Sequence, residues 1–240
     1  SGATVASNTA TANSNSSNSA FVKSADFGSA AADGGLLQIV SSAKSYAKAF
    51  FTQSGFGLNG ANLGVLVMNA SADGNFKAYI DSSDAAMYTK DISVSNNFIT
   101  TAQAISAQPS GGVTINGVSG EVNIALARSS ANASAQITGG GIIAAQGISV
   151  VSTGSGIVTA DIDAAKVNVG IATVGANYAE AVLNIIQNAG IGGSGSITAA
   201  GNVTVKSLLN DGRSTAETGP NGGTNVTAVA GGLSSANAKV

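Results

Sequence analysis

Cysteine, histidine and tryptophan are all absent from this chain of 240 residues, and proline occurs only twice, at Pro109 and Pro220. Without cysteine, no disulfide bond can form. Without histidine, acid–base chemistry that depends on an imidazole is excluded. Both prolines lie in glycine-rich stretches that are typical of loops, so the other turns of the backbone must come from glycine and asparagine.

Charged residues are also scarce, at 9% of the chain, and the formal net charge is −2. Nucleic-acid binding requires a clustered stripe of lysine and arginine, and the sequence has none. A helix bundle is excluded because its exposed faces would be rich in Glu, Lys and Arg. No apolar run approaches the roughly 18 residues of a membrane-spanning helix. Residues 1–30 lack the pattern of a secretion signal, so we expect any signal to lie outside this segment.

Glycine, small polar residues and β-branched residues recur instead in a repeating order. A small residue, one or two variable residues and a β-branched residue occur together five times, about 57 residues apart except for one shorter interval before the fourth occurrence. A stack of similar coils repeats in this way because each coil buries its apolar face only against the next coil. The five anchors are Val22, Ile80, Ile137, Val182 and Val240.

The repeat predicts an all-β fold, a single-stranded parallel β-helix (solenoid) that spans residues 1–240 as one segment. Each unit holds three strand-rich stretches with period-2 alternation, so a unit divides into coils of about 19 residues. Twelve or so coils, spaced about 4.8 Å apart, would form a rod roughly 60 Å long. Two buried columns are expected, one of Val22, Ile80, Ile137 and Val182, the other of Val40, Val94, Val151 and Val205.

Some stretches are expected to depart from regular coils. The short interval before Val182 predicts a trimmed loop, and residues 184–196 predict an insertion that protrudes from the rod. Residues 43–58, with three phenylalanines, predict a helix or loop over one side of the rod, or alternatively a partner-binding patch. The rival fold is an antiparallel β-sandwich, but Asn-Gly and Asp-Gly turns occur less than once per strand.

The segment begins and ends in the middle of a unit, and neither end carries the polar cap that closes a free solenoid. Because the two ends do not coincide with the boundaries of a unit, we expect the segment to be a piece of a longer rod. The alternative is a subunit whose open ends stack on neighbouring copies in a fibre.

The unit resembles the repeats of leukotoxin-type filamentous adhesins, large secreted bacterial proteins related in architecture to filamentous haemagglutinin. Residues 67–71, 77–81 and 91–94 carry the resemblance, which extends over almost the whole chain at degenerate positions. It implies a right-handed parallel β-helix that serves as a stalk or shaft on the bacterial cell surface. The expected partners are a host or neighbouring cell surface, or other copies of the same protein, without nucleic acid or membrane insertion.

An enzyme is the main alternative, because parallel β-helices also carry polysaccharide lyases and glycosidases. Asp161 and Asp163 would share one face of a strand about 6–7 Å apart, a separation that suits two catalytic carboxylates. Lys166 or Lys90 beside them would complete such a site. Two carboxylates at this spacing are common by chance, so no catalytic residue is assigned.

No metal or cofactor site is predicted. Residues 192–196 have serine where calcium-binding glycine-rich repeats have aspartate, and residues 139–141 lack the Lys-Ser/Thr of a phosphate-binding loop. Both stretches are interpreted as turns. Thr9 and Thr11 form a single Thr-x-Thr pair, whereas an ice-binding solenoid repeats that pair in its coils.

The function expected from the sequence is a non-enzymatic structural shaft of a large secreted surface adhesin or extracellular filament. The alternatives are a β-helical carbohydrate-active enzyme and a fibre subunit that self-assembles head to tail.

Overall fold

The computed structural model describes residues 3–32, 34–52, 57–83, 85–107, 113–163, 167–219 and 225–240. Within these ranges all the regular elements are strands, which confirms the all-β expectation. The described residues therefore include no helix that could cross a membrane. The strands are β1 (Ala3–Lys23), β2 (Leu36–Thr52), β3 (Gly57–Ser82), β4 (Met87–Ala107), β5 (Val113–Gly139), β6 (Ile142–Ile162), β7 (Val167–Gly192), β8 (Ile197–Ala199), β9 (Val203–Thr218) and β10 (Asn225–Lys239).

The strands form two parallel sheets, and the chain alternates between them. Sheet A has the order β1-β3-β5-β7-β10, and sheet B has the order β2-β4-β6, after which β6 pairs with both β8 and β9. Every pairing between these strands is parallel. Alternating apolar and small polar residues suit such strands, because successive side chains point to opposite faces of a sheet.

Neighbouring strands in either sheet lie one full repeat apart in sequence. Ala3 pairs with Ala61 and Leu36 pairs with Asp91, and both offsets are close to the repeat length. The predicted coil of about 19 residues is therefore wrong: one layer of both sheets uses a whole repeat, divided between two long strands. Five layers spaced about 4.8 Å apart rise only about 24 Å, well short of the expected length of roughly 60 Å.

The first three anchors stack as predicted. Val22 pairs with Ile80, and Ile80 pairs with Ile137. The next residue of this column is Ile191, so Val182 is the wrong anchor.

Val182 lies too early in β7, where it pairs with Arg128. The trimmed loop and the insertion were consequences of this misplaced anchor, and both are wrong. Residues 184–192 continue β7 in register with residues 130–138, and residues 193–196 form the turn to β8. The fifth anchor fails with the fourth, because Val182 pairs with Lys239 and Val240 follows the end of β10.

The second predicted column is correct in register at two of its four positions, Val94 and Val205, but only Val94 is buried as predicted. Val40 and Val151 lie one residue out of register and point outward, and Val40 is half exposed. A shift of one residue moves a side chain to the other face of the sheet. The column that forms consists of Ile39, Val94, Val150 and Val205, of which Val205, on β9, stays exposed.

The helix or loop predicted for residues 43–58 is also absent from the described part of that stretch. Residues 43–52 belong to β2, where buried and exposed side chains alternate, and residues 57–58 begin β3. Phe56 lies outside the described residues.

Side-chain hydrogen bonds that cross the interior show how the two sheets face each other. The Asn18 side chain donates to the Ser42 carbonyl oxygen at 3.0 Å, and the Ser45 hydroxyl lies 3.0 Å from the Ser14 hydroxyl. A later residue in β1 thus faces an earlier residue in β2. The strands of the two sheets therefore run in opposite directions, with the core between them.

Two apolar clusters fill this interior, one rich in alanine and one rich in isoleucine. Phe76 and Phe98 lie between the clusters, fully buried and stacked with ring centroids 5.5 Å apart. Thr100 and Ser129 extend this middle zone as a polar seam, and both hydroxyls donate to the Ala72 carbonyl oxygen. Burial of these hydroxyls is tolerated because they are hydrogen-bonded.

Candidate functional surfaces

The outer face of sheet A carries an exposed apolar patch near the beginning of its strands. Val5 pairs with Leu63, and Val65 pairs with Val122, so these side chains are neighbours across the sheet. Exposed apolar clusters of this kind are typical of interaction surfaces. We define the apolar patch as Val5, Leu63, Val65, Val118, Val122, Val174 and Tyr178.

Further along sheet A the outer face is mixed, with polar side chains beside exposed Phe21 and Ile186. Phe21 stacks on Tyr79 with ring centroids 5.2 Å apart, and the next pair, Lys23 and Asp81, lies within 4.0 Å. Hydrogen bonds from Ser83, together with Lys23, hold the pKa of the Asp81 carboxyl below its usual value. Asp81 thus accepts hydrogen bonds within a turn and forms an exposed ion pair. An exposed ion pair contributes little to stability.

The outer face of sheet B begins with a row of alternating lysines and aromatic residues on β2. The Lys44 ammonium lies 5.9 Å from the Tyr46 ring centroid, and the Lys48 ammonium lies 5.0 Å from the Phe50 ring centroid. All four side chains are exposed, and the Tyr46 hydroxyl donates to Gln103 on β4 at 3.2 Å. Neither lysine forms an ion pair in the part of the chain that the structure describes.

Carboxylates lie at the opposite edge of the same face. Asp161 on β6 pairs in register with Glu217 on β9, and Asp163 follows two residues later. Burial raises the pKa of Asp161, and the charges of Glu217 and Asp163 raise it further. Like charges this close disfavour the ionised form. Among the described residues, neither Asp161 nor Glu217 has a basic partner within ion-pair distance.

The alternative catalytic site does not come together around Lys90. Lys90 immediately precedes Asp91, whose partner Gly147 lies near the start of β6, whereas Asp161 lies near its end. At about 3.3 Å per residue, these two positions are roughly 46 Å apart along the strand. Lys166, the other candidate basic residue, lies outside the described residues. Within those residues, no cluster of three or more acidic side chains is arranged to hold a metal ion.

Both glycine-rich stretches are turns, as predicted, and they lie against each other at the same edge of the molecule. Gly139 and Gly141 have positive φ angles of 100° and 76° in the turn between β5 and β6. Gly193, with φ of 133°, packs against the Gly139 backbone from the turn between β7 and β8. The absence of a Cβ at Gly193 permits this approach of two backbones.

The separation of charge on the outer face of sheet B was not predicted from the sequence. The positive row had a signal in the period-2 order of Lys44, Tyr46, Lys48 and Phe50. The negative edge had none, because Asp161 and Glu217 become neighbours only through the register of β6 and β9.

The charge on Asp161 gives a prediction about pH. A pKa raised in the folded state means that ionisation destabilises the fold, so the penalty is absent below the unfolded pKa of about 3.9 and appears as the pH rises through the folded pKa. Asp161→Asn is therefore expected to raise the melting temperature at pH 7 but not at pH 3. Thermal unfolding followed by circular dichroism at both pH values measures the difference.

Asp211→Asn is the matched control for this prediction. Arg213 lowers the pKa of Asp211 through hydrogen bonds to its carboxylate. Its neutralisation should therefore lower, not raise, the melting temperature at pH 7. A gain for Asp161→Asn that persists at pH 3 would show that packing, not charge, is responsible.

Comparison of the chain with protein-family models, curated proteins and solved structures finds no match.

Proposed function

We propose that this chain is a non-enzymatic structural segment of a large secreted bacterial surface protein. In this proposal a right-handed parallel β-helix, with two long strands in each coil, forms the shaft of an adhesin or extracellular filament. The observation that carries the proposal is the pairing of residues one repeat apart from β1 through β10. Each repeat adds one layer to both sheets, which is how a stacked shaft grows.

The interior supports this role. Successive layers place like residues in columns, as in the column formed by Val22, Ile80, Ile137 and Ile191. Each layer packs the same kind of residue against the next layer. Further repeats can therefore be added with the same side-chain packing. A catalytic role has less support, since Lys90 lies far from the carboxylates at Asp161.

The proposed shaft is a broad ribbon and not a thin rod. The long strands of sheet A contain 21 to 27 residues, which corresponds to a width of roughly 70–90 Å. Each layer adds about 4.8 Å, so the chain gains only about 0.1 Å of height per residue. Such a coil has wide exposed faces and gains little height per residue. It is therefore better suited to contact with cells or with other copies than to forming a long shaft.

The coil can be tested with paired cysteines, because the chain has none of its own. Thr11 and Asn69 pair in register and point outward, so Thr11→Cys combined with Asn69→Cys should form a disulfide upon mild oxidation. The matched control combines Thr11→Cys with Ala30→Cys. These two positions are separated by the length of the coil that the sequence predicted, about 19 residues, so they would be neighbours only if that shorter coil formed. Mass spectrometry of tryptic peptides identifies the bond, and cross-linking in the control alone would overturn the wide coil.

The role itself is tested on the native protein that contains this chain. Antibodies against the chain, viewed by electron microscopy, should label ribbons at the surface of unpermeabilised cells. The purified protein should release no new reducing ends from polysaccharides. Labelling confined to the cell interior would overturn the surface role. Polysaccharide cleavage that is lost in Asp161→Asn would establish the enzyme alternative.

A further inference from the structure

The outer face of sheet B has the size of a protein–protein interface. Strands β2, β4, β6 and β9 lie side by side about 4.8 Å apart, and their aligned segments are each roughly 50 Å long. Their projected area is therefore roughly 900 Å². Two such faces in contact would bury about 1,800 Å², within the range of stable complexes.

The composition of the face also suits an interface. Exposed Val40, Tyr46, Phe50, Ile99 and Leu208 lie among serine, threonine and asparagine side chains. Stable interfaces commonly combine aromatic and aliphatic anchors with neutral polar residues in this way.

Charge is separated across this face from the first strand to the last. Lys44 and Lys48 lie on β2, and Asp161 and Glu217 lie on β6 and β9, all four without ion-pair partners among the described residues. The other charges on β9 include Asp211 and Arg213, which bind each other at 2.7 Å. Lys206, also on β9, is exposed on this face, but it pairs with Val151 and so lies about 33 Å from Asp161 along the strand. In the later part of the strands, one edge of the face therefore carries two unmatched lysines and the other edge carries two unmatched carboxylates.

This arrangement is self-complementary for only one orientation of two identical faces. A two-fold axis parallel to the strands places β2 of one copy opposite β9 of the other while residues at the same register position stay opposite each other. Lys48 then lies opposite Thr215, two residues from Glu217, and Tyr46 lies opposite Arg213. A two-fold axis along the stacking direction would instead place the two β2 rows, and their lysines, against each other.

We propose that this chain pairs with a second copy of itself through the outer faces of sheet B, about a two-fold axis parallel to the strands. Sheets pack face to face about 10 Å apart, a distance that lysine and glutamate side chains span together. Lys48 of each copy binds the Asp161 and Glu217 edge of the other, and Tyr46 receives the Arg213 guanidinium on its ring. The pairing depends on this face alone and stands whether or not the chain belongs to an adhesin.

Charge reversal tests the pairing on the 240-residue chain. One variant carries Lys44→Glu and Lys48→Glu, and the other carries Asp161→Lys and Glu217→Lys. Each variant alone brings like charges together, so its dimer dissociation constant should rise about tenfold or more. An equimolar mixture restores opposite charges at both ends of the interface and should recover a heterodimer. Sedimentation equilibrium measures the constants, and native mass spectrometry identifies the heterodimer.

Lys23→Glu with Lys77→Glu is the matched control, because it makes the same charge change at two exposed lysines of sheet A, outside the proposed contact. This variant should dimerise like the unaltered chain. A monomeric unaltered chain at micromolar concentration would overturn the proposal. So would dimers that survive both reversals, and in that case loss of pairing upon Val122→Asp would assign the contact to the apolar patch. Variants that weaken dimerisation but form no heterodimer would also overturn it.

Discussion

Replacement of Gly154 by valine is expected to lower the free energy of unfolding by about 3 kcal/mol. Gly154 is buried on β6 beside its register partner Phe98, and any Cβ at this position would overlap the Phe98 ring. The ring cannot withdraw, because it is stacked on Phe76. A Cβ at Gly74 would in turn overlap Phe76, so both rings occupy space that glycine leaves. Urea unfolding at an unchanged m-value measures the loss.

Gly190→Val is the control for this substitution. Gly190 also lies in a strand, but a Cβ there meets no atom within 4 Å, so the free energy of unfolding should change little. A double-mutant cycle with Phe98→Ala gives a second check. If the valine fills space vacated by the ring, the two losses will not add. Strictly additive losses would contradict the proposed contact.

Gly193→Ala is expected to destabilise the protein by a similar amount, about 3 kcal/mol, for a different reason. Its φ of 133° is strained for any residue with a side chain, and its Cβ would overlap the Gly139 backbone. No flexible side chain is available to move, so the turn between β7 and β8 must separate from the turn between β5 and β6. Thermal unfolding should show the loss as a lower melting temperature.

Gly35→Ala separates the two causes. Gly35 has φ of 77°, but a Cβ there meets no atom within 4 Å, so only the conformational cost of about 1 kcal/mol applies. The difference between the two variants measures the contact between the turns. Equal losses would mean that this contact has no part in stability.

The sequence predicted the all-β fold and the repeat length but misplaced the fourth anchor, and the fifth anchor with it, and the reason is visible in β7. Ala189-Gly190-Ile191 has the same pattern as Ala78-Tyr79-Ile80, yet Val182 precedes it with a similar pattern. Small residues before β-branched residues are frequent in such a chain, so the motif alone does not define the register. Backbone pairing over all of β7 defines it, and in that register the buried Ala125 and Ala127 of β5 pair with the buried Ala179 and Ala181 of β7.

The predicted size of the coil was wrong for a related reason. Period-2 alternation indicates a strand but not how long the strand continues, and short apolar stretches joined by serine and asparagine suggested three strands in each repeat. In the structure those polar links remain in the strand. Ser71 and Asp73 lie on the outer face of β3, and Ser45 bonds to the Asp73 carbonyl oxygen across the core. Small hydroxyl side chains fit both environments, so their presence did not mark a turn.

The sequence could predict a surface feature that lies within one strand, but not one that depends on two strands becoming neighbours. The alternation of Lys44 and Lys48 with aromatic residues is local. The meeting of Asp161 with Glu217 depends on an offset of one whole repeat between β6 and β9, including a register shift between Gly154 and Ser155. Such a long-range offset cannot be obtained from local patterns.

The width of each layer also determines how this molecule would carry mechanical load. If tension is applied along the stack and spread over a whole layer, the hydrogen bonds between two long strands in each sheet share it, and no single bond bears much force. If the same tension pulls on one strand end at an edge, the bonds break one after another. A wide coil is therefore strong when its whole face is held and weak when it is peeled from an edge. Attachment over a broad face would use the stronger of these two directions.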